Sequence, residues 1–285
     1  MAQNLGGLRM HRRQARPVIG TLALFLAMVC LAAVAQTQQT ETKAPVFPGE
    51  VWEEIEKPES AGYSSARLEA LRGWLQSIDT TAMMVAVGGR SLFEYGNLSH
   101  LSYLASVRKS VLAILYGKYV EDGTIPLGKT LRDLELNDVQ GLLPQELEAT
   151  VEHLISARSG IYHPASNAGD NTASAPPRGS QRPGSYYLYN NWDFNAAGAA
   201  FEKLTGKNIY DALEADLARP IGMQDFDRAK QQKSGDPKRS QHLAYHMWLS
   251  TRDRARIGLL MLRGGQVPVG ATARSSASTN GTRKD

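Results

Sequence analysis

The sequence predicts an α+β fold: a short antiparallel sheet, incomplete in this chain, packed against a mainly helical block. Three observations lead there. A hairpin pattern near residue 90 follows one helical segment and precedes several others. Beyond residue 106, apolar residues recur mostly at helical spacing, so strands are too few to build a full sheet. With 42% hydrophobic and 21% charged residues, the 285-residue chain has an ordinary globular make-up, which argues for a packed core over disorder.

Residues 1–35 stand apart from the fold. Arg9, Arg12, Arg13 and Arg16 precede an uncharged run over 17–35, and Ala33-Val34-Ala35 supplies a small-x-small cleavage pattern with Gln36 as the expected mature start. The run is also close to bilayer-spanning length, so a retained anchor helix over 17–35 is the alternative. Either reading puts the domain in the periplasm or outside the cell. The segment holds 4 of the 32 basic residues and none of the acidic ones, leaving 28 basic against 28 acidic. A balance near zero gives no electrostatic reason to expect a nucleic-acid partner. Cys30, the single cysteine, lies inside the apolar run, so the mature chain offers no disulfide, thiol nucleophile or cysteine metal site. No cofactor is expected.

Residues 36–57, polar with Pro45 and Pro48, read as a linker, and 58–265 as the folded domain. A helix is expected over 64–78, with Ser64 as N-cap and Leu68, Leu71, Trp74 and Leu75 on one face. Strands over 83–87 and 91–95 flank Gly88-Gly89-Arg90, a turn suited to positive φ. A long helix over 106–121 stops at Gly123 and Pro126, and a short one covers 150–158. Residues 163–185, rich in Pro, Gly, Ala, Ser and Asn, form a loop of a length that is usually functional or disordered. Helices follow over 191–205 and 209–217, with Gly206 and Pro220 as stops. Residues 227–240, with five basic and two acidic side chains, read as a solvated loop, and 251–263 as a last amphipathic helix. The tail, 266–285, has no aromatic residue and no strand alternation and reads as disordered.

Chemistry concentrates at Ser106-Val107-Arg108-Lys109, a Ser-x-x-Lys at a predicted helix start. Residues i and i+3 share a helical face, so hydroxyl and amine can come within hydrogen-bond reach. The helix N-terminus and the apolar neighbours Val107, Val111, Leu112, Ile114 and Leu115 both disfavour an ammonium, and a neutral Lys109 could take the serine proton. Alone, the pattern is weak, and a helix cap followed by a surface lysine is the better reading of it. His242 and His246 are four apart and could share a helical face, but without a Glu between them or a third ligand they read as structural. His153 and His163 read as core or loop residues. No Gly-x-Ser-x-Gly elbow and no glycine-rich phosphate loop occurs.

The segment 103–110, Tyr-Leu-Ala-Ser-Val-Arg-Lys-Ser, resembles the nucleophile segment of the serine β-lactamase and penicillin-binding-protein family. Further likenesses follow in the family's order: the hairpin over 83–96, the turn over 123–131, the segment 151–161, Tyr189-Asn190-Asn191 as a Tyr-x-Asn, Pro220-Ile221-Gly222-Met223, and the stretch 250–258. The resemblance implies a β-lactamase/transpeptidase-like fold. It also implies Ser106 as acylated nucleophile, Lys109 as proton acceptor, Tyr189 as second acid/base group and Asn191 as the residue orienting lysine and substrate. A Tyr-x-Asn points to the class C-like, esterase and D-aminopeptidase branch, acting on a small ester or amide or a peptidoglycan-like substrate.

The family's third motif, Lys or His, any residue, then Gly on a late strand, is missing after Gly265. The expectation is therefore either a truncated or frame-shifted product with little activity, or a chain that obtains its missing sheet elsewhere. A non-catalytic ligand-binding or cell-wall interaction module is the competing reading.

Overall fold

The computed structural model describes residues 46–169 and 172–267. The expected export signal, residues 36–45 of the linker and the tail after Val267 lie outside the described residues. No described helix is long and apolar enough to cross a membrane.

Helix α1 (Ser65–Gln76) is capped by Ser64, whose side chain accepts from the Arg67 N–H. Of its expected apolar face only Leu75 is fully buried, while Trp74 is 57% exposed. The chain then forms the hairpin of β1 (Ala82–Val87) and β2 (Arg90–Gly96). The connection is the two-residue turn Gly88-Gly89, both at positive φ (58° and 85°), the geometry that matches strand twist. Arg90, expected in the turn, already pairs with Val87 in the ladder. A Cβ on Gly89 would sit 1.7 Å from the Val46 carbonyl oxygen, so the N-terminal segment can cross the turn only over a glycine.

β3 (Ser102–Tyr103) leads into α2 (Val107–Glu121), and α3 (Val151–Ile155) is closed by a capping box between Thr150 and His153. α3 is shorter than expected because Ala157 turns into left-handed backbone at φ 54°. Helix α4 (Asn191–Thr205) runs through the centre with Trp192, Ala196, Ala197, Ala200 and Phe201 fully buried. Its small residues let neighbours approach closely: a Cβ on Gly198 would meet the Tyr245 ring at 2.6 Å. Tyr116 of α2 donates to the Ala197 carbonyl at 2.7 Å. Helix α5 (Ile209–Ala212) continues as a π-helical stretch over Leu213–Ala218, where a single α-helix was expected.

Three further strands depart from the expected pattern. β4 (Gln232–Ser234) forms within the stretch read as a solvated loop and pairs with β5 (Ala244–His246). All three β4 residues are exposed, so no apolar alternation marks the strand in the sequence. β6 (Trp248–Leu249) pairs with β3. His242 and His246 consequently share no helix: His242 is buried in a loop and His246 lies on β5. Helix α6 (Thr251–Leu262), capped by Ser250, packs against β1. Among the described residues the β1–β2 sheet has no third full strand; Glu54 bridges the far side of β2 at Ser91.

Two buried polar groups join distant parts of this frame. Asp138 accepts from Trp192 Nε1, Ser240 Oγ, and the backbone N–H groups of Val139 and Gln241. Arg256 on α6 donates to the carbonyls of Pro48, Gly49 and Ile221.

Candidate active site

Ser106 is placed by the pairing of β3 with β6 and the start of α2. Leu104 N–H donates to Met247 O, and Ala105 turns the chain at φ 46°, an uncommon backbone for a residue with a Cβ. Ser106 emerges from this elbow exposed to solvent, at the N-cap of α2. Lys109, one turn on, is 7% exposed. Val107, expected to shield the motif, points outward and is 54% exposed, so burial of Lys109 comes from other parts of the chain.

Those parts are α4 and the segment before it. Lys109 Nζ lies 3.1 Å from Ser106 Oγ, 2.7 Å from Tyr189 OH and 2.7 Å from Asn191 Oδ1. All four residues singled out from the sequence therefore meet at one amine. A neutral amine has two hydrogens and one lone pair. With Asn191 Oδ1 able only to accept, the three contacts allow Lys109 to donate toward Asn191 and Tyr189 while accepting from the serine hydroxyl. The ring of Phe194, one turn along α4 from Asn191, stands 5.1 Å from Nζ and 5.7 Å from the Tyr189 ring.

Asn190 positions the pair around it. Its side chain accepts from the Asp193 N–H at 2.7 Å and caps α4, so that Tyr189 precedes the helix and Asn191 opens it. Asn191 Nδ2 donates to Ala168 O, and Asn195 Nδ2 donates to Asn167 Oδ1 at 2.9 Å. The long loop over 163–185 is thereby tied across the first turns of α4. Burial pushes the Tyr189 phenol up, but hydrogen bonds with Lys109 and Ser106, with the charges of Lys109 and Arg108, outweigh it and leave the phenol below its ordinary value. A cavity of about 290 Å³ opens beside Tyr189, lined in part by Ile161, Tyr162, Pro176 and Leu188.

The family model for Beta-lactamase matches residues 66–284. The chain belongs to the Beta-lactamase family. Solved structures agree at the level of fold. The chain is similar to a protein assigned as a 6-aminohexanoate-dimer hydrolase from Bacillus anthracis, at 21% identity and a TM-score of 0.51, covering 71% of this chain and 61% of that one. It is similar to a mutant of a class C β-lactamase (15% identity, TM-score 0.55, 78% and 70% covered). A penicillin-binding protein from Bacillus halodurans shares 16% identity at a TM-score of 0.50, with 76% and 80% covered. No curated protein sequence matches the chain. The β-lactamase/transpeptidase-like α+β fold expected from the sequence is the one found.

Two participants carry no sequence signal of their own role. The Ala168 carbonyl is set by the path of the chain, and nothing in the spacing marks Arg108 for the interior, where α4 covers it. One Lys-x-Gly does occur before Gly265, at Lys233-Ser234-Gly235 on and after β4. Lys233 pairs instead with Glu202, eleven residues along α4 from Asn191, or about 16 Å down the helix axis. It is no substitute for the third motif. Among the described residues no group of three His, Cys, Asp or Glu could hold a metal ion.

Proposed function

We propose that this chain is an exported serine hydrolase acting through an acyl-enzyme on an ester, amide or β-lactam. The observation that carries the reading is the single buried amine, Lys109 Nζ, in contact with the hydroxyl of Ser106, the phenol of Tyr189 and the carboxamide of Asn191. In the first half-reaction Ser106 Oγ attacks the acyl carbon while its proton passes to Lys109. Collapse of the tetrahedral species breaks the bond to the leaving group, which takes a proton from Tyr189, and Lys109 restores that proton across their 2.7 Å contact. In the second half a water loses its proton to the same pair and attacks the ester carbon, and Ser106 departs with a proton returned by Lys109. Asn191 holds the amine in place throughout. Export rests on the arginine-led apolar segment over 17–35, with the periplasm or cell exterior as location and membrane anchoring by that segment if it is retained.

The test is covalent labelling of the folded protein with a fluorophosphonate and with a penicillin. The expected adduct sits on Ser106 and disappears in Ser106→Ala. Absence of any adduct with folded protein sinks the reading. The second reading, a module that binds such ligands without turnover, is favoured by the missing Lys/His-x-Gly strand near Ser106 among the described residues. A serine that labels while ester, amide and β-lactam substrates show no turnover would establish it, because losing an oxyanion donor costs about 2.7–4 kcal/mol in the transition state.

A further inference from the structure

Helix α2 carries two adjacent basic side chains into the interior, and the proposed chemistry uses one of them. The other, Arg108, is 2% exposed. Its guanidinium stays charged at any pH at which proteins fold. Nη2 donates to Asn195 Oδ1 at 3.0 Å, and Cζ lies 4.3 Å from the centre of the Tyr245 ring. Nη1 has no hydrogen-bond partner among the described residues, and no carboxylate there lies within ion-pair distance of Arg108.

A buried cation is ordinarily balanced by an acid. Helix α4 supplies amides instead. Asn191 and Asn195 are four residues apart on one helical face, and they accept from Lys109 and Arg108 respectively. A carboxamide satisfies a donor without cancelling its charge. Asp193, between them in sequence, accepts from Ser159 Oγ and N–H.

Among the described residues, the groups facing Arg108 from other elements do not neutralise it either. The phenols of Tyr245 on β5 and Tyr210 on α5 are pushed up by burial and stay uncharged. Burial, then the charge of Arg108, holds the His246 imidazole down and neutral. Beyond them, Glu202 is engaged by the Ile209 N–H and by Lys233, and Arg228 by Asp211. No described acid cancels the charge of Arg108 before it reaches its sequence neighbour, across a water-poor interior where Coulomb forces are weakly screened.

We propose that Arg108 is a positioning residue for the reaction at Ser106, a charge with no acidic partner among the described residues, held by Asn195 and Tyr245, that drives a proton off Lys109 so that the amine rests as a base. The proposal rests on the roles given above to Ser106, Lys109 and Tyr189. It accounts for amides rather than acids on the α4 face that meets the two cations.

The test titrates Lys109 directly. Trace acetic anhydride competes for the amines of the whole folded chain at a series of pH values, and mass spectrometry reads acetylation at Lys109, with no turnover required. Arg108→Met removes the charge, whereas Asn195→Asp keeps Arg108 and cancels it with a carboxylate. Each should raise the Lys109 midpoint by about one pH unit, making the amine about tenfold less reactive at any pH well below it. Arg108→Lys, which keeps the charge, should restore the wild-type midpoint. An unmoved midpoint in Arg108→Met and Asn195→Asp, or in Asn195→Asp alone if Arg108→Met does not fold, overturns the proposal. The half-maximal pH of fluorophosphonate labelling at Ser106 should shift in the same direction. A wild-type chain that never labels would remove the hydrolase reading only, and the Lys109 titration would still decide the role of Arg108.

Discussion

At the scale of single residues, the site turns on the charge carried by one amine. Asn191 holds Lys109 through a neutral oxygen at 2.7 Å. Asn191→Asp keeps shape and acceptor but adds a negative charge there, which favours the ammonium form. Labelling of Ser106 near neutral pH should fall by about 10²–10⁴, the usual worth of general-base help, and its acid limb should move to higher pH. Folding stability should change little, since a carboxylate in the first turn of α4 suits the helix dipole but forfeits the Nδ2 bond to Ala168 O. A labelling profile identical to wild type would show that Lys109 does not act as the base. The Ser-x-x-Lys and Tyr-x-Asn spacings were legible in the sequence because each is local. Their meeting was not, since the Lys109–Tyr189 contact spans 80 residues and depends on how α4 is docked.

At the scale of elements, the site is positioned by how α4 begins. Asn190 caps the helix between the two residues that touch Lys109. Asn190→Ala should cost about 1 kcal/mol in urea unfolding. It should also slow labelling of Ser106 more than an equally destabilising change far from the site, because it loosens Tyr189 and Asn191 together. Asp138 anchors the same turn from beneath through Trp192. Burial pushes this carboxyl up, but the hydrogen bonds from Ser240, Trp192, Gln241 and Val139 prevail and hold it below its ordinary value. A depressed carboxyl stabilises the fold above the unfolded-state pKa, and the gain is lost as pH falls through the folded one. Asp138→Ala should cost about 3–5 kcal/mol near neutrality, leaving buried donors orphaned, and the gap to wild type should narrow in acid. A gap that is constant with pH would argue against an ionised Asp138. Helices with capping residues and apolar stripes were readable in advance. Strands β3 to β6 were not, because strands of two or three residues carry too little pattern to be seen before their partners are known.

At the scale of the molecule, stability is unevenly spread. Helix α4 is buried along most of its length, whereas β1 is only half-buried and pairs on one side with β2 among the described residues. Native-state hydrogen exchange should find the slowest amides in α4, around Ala196 to Phe201, and faster exchange in β1. Equal protection of the two would mean that the hairpin is held by pairing beyond the described residues. Arg256 works at this same scale, tying α6 to the carbonyls of Pro48 and Gly49 at the start of the described chain.

The sequence by itself determined the family, the α+β order of elements and the four side chains that meet at the site, because those rest on spacing along the chain. The tertiary structure alone decided which cations are buried. The Ser-x-x-Lys spacing marks Lys109 and passes over Arg108, and only the packing of α4 and β5 over α2 withdraws both from water and offers them amides in place of acids. Local pattern specifies the groups that are present. Burial, which sets their charge, comes from segments far away along the chain.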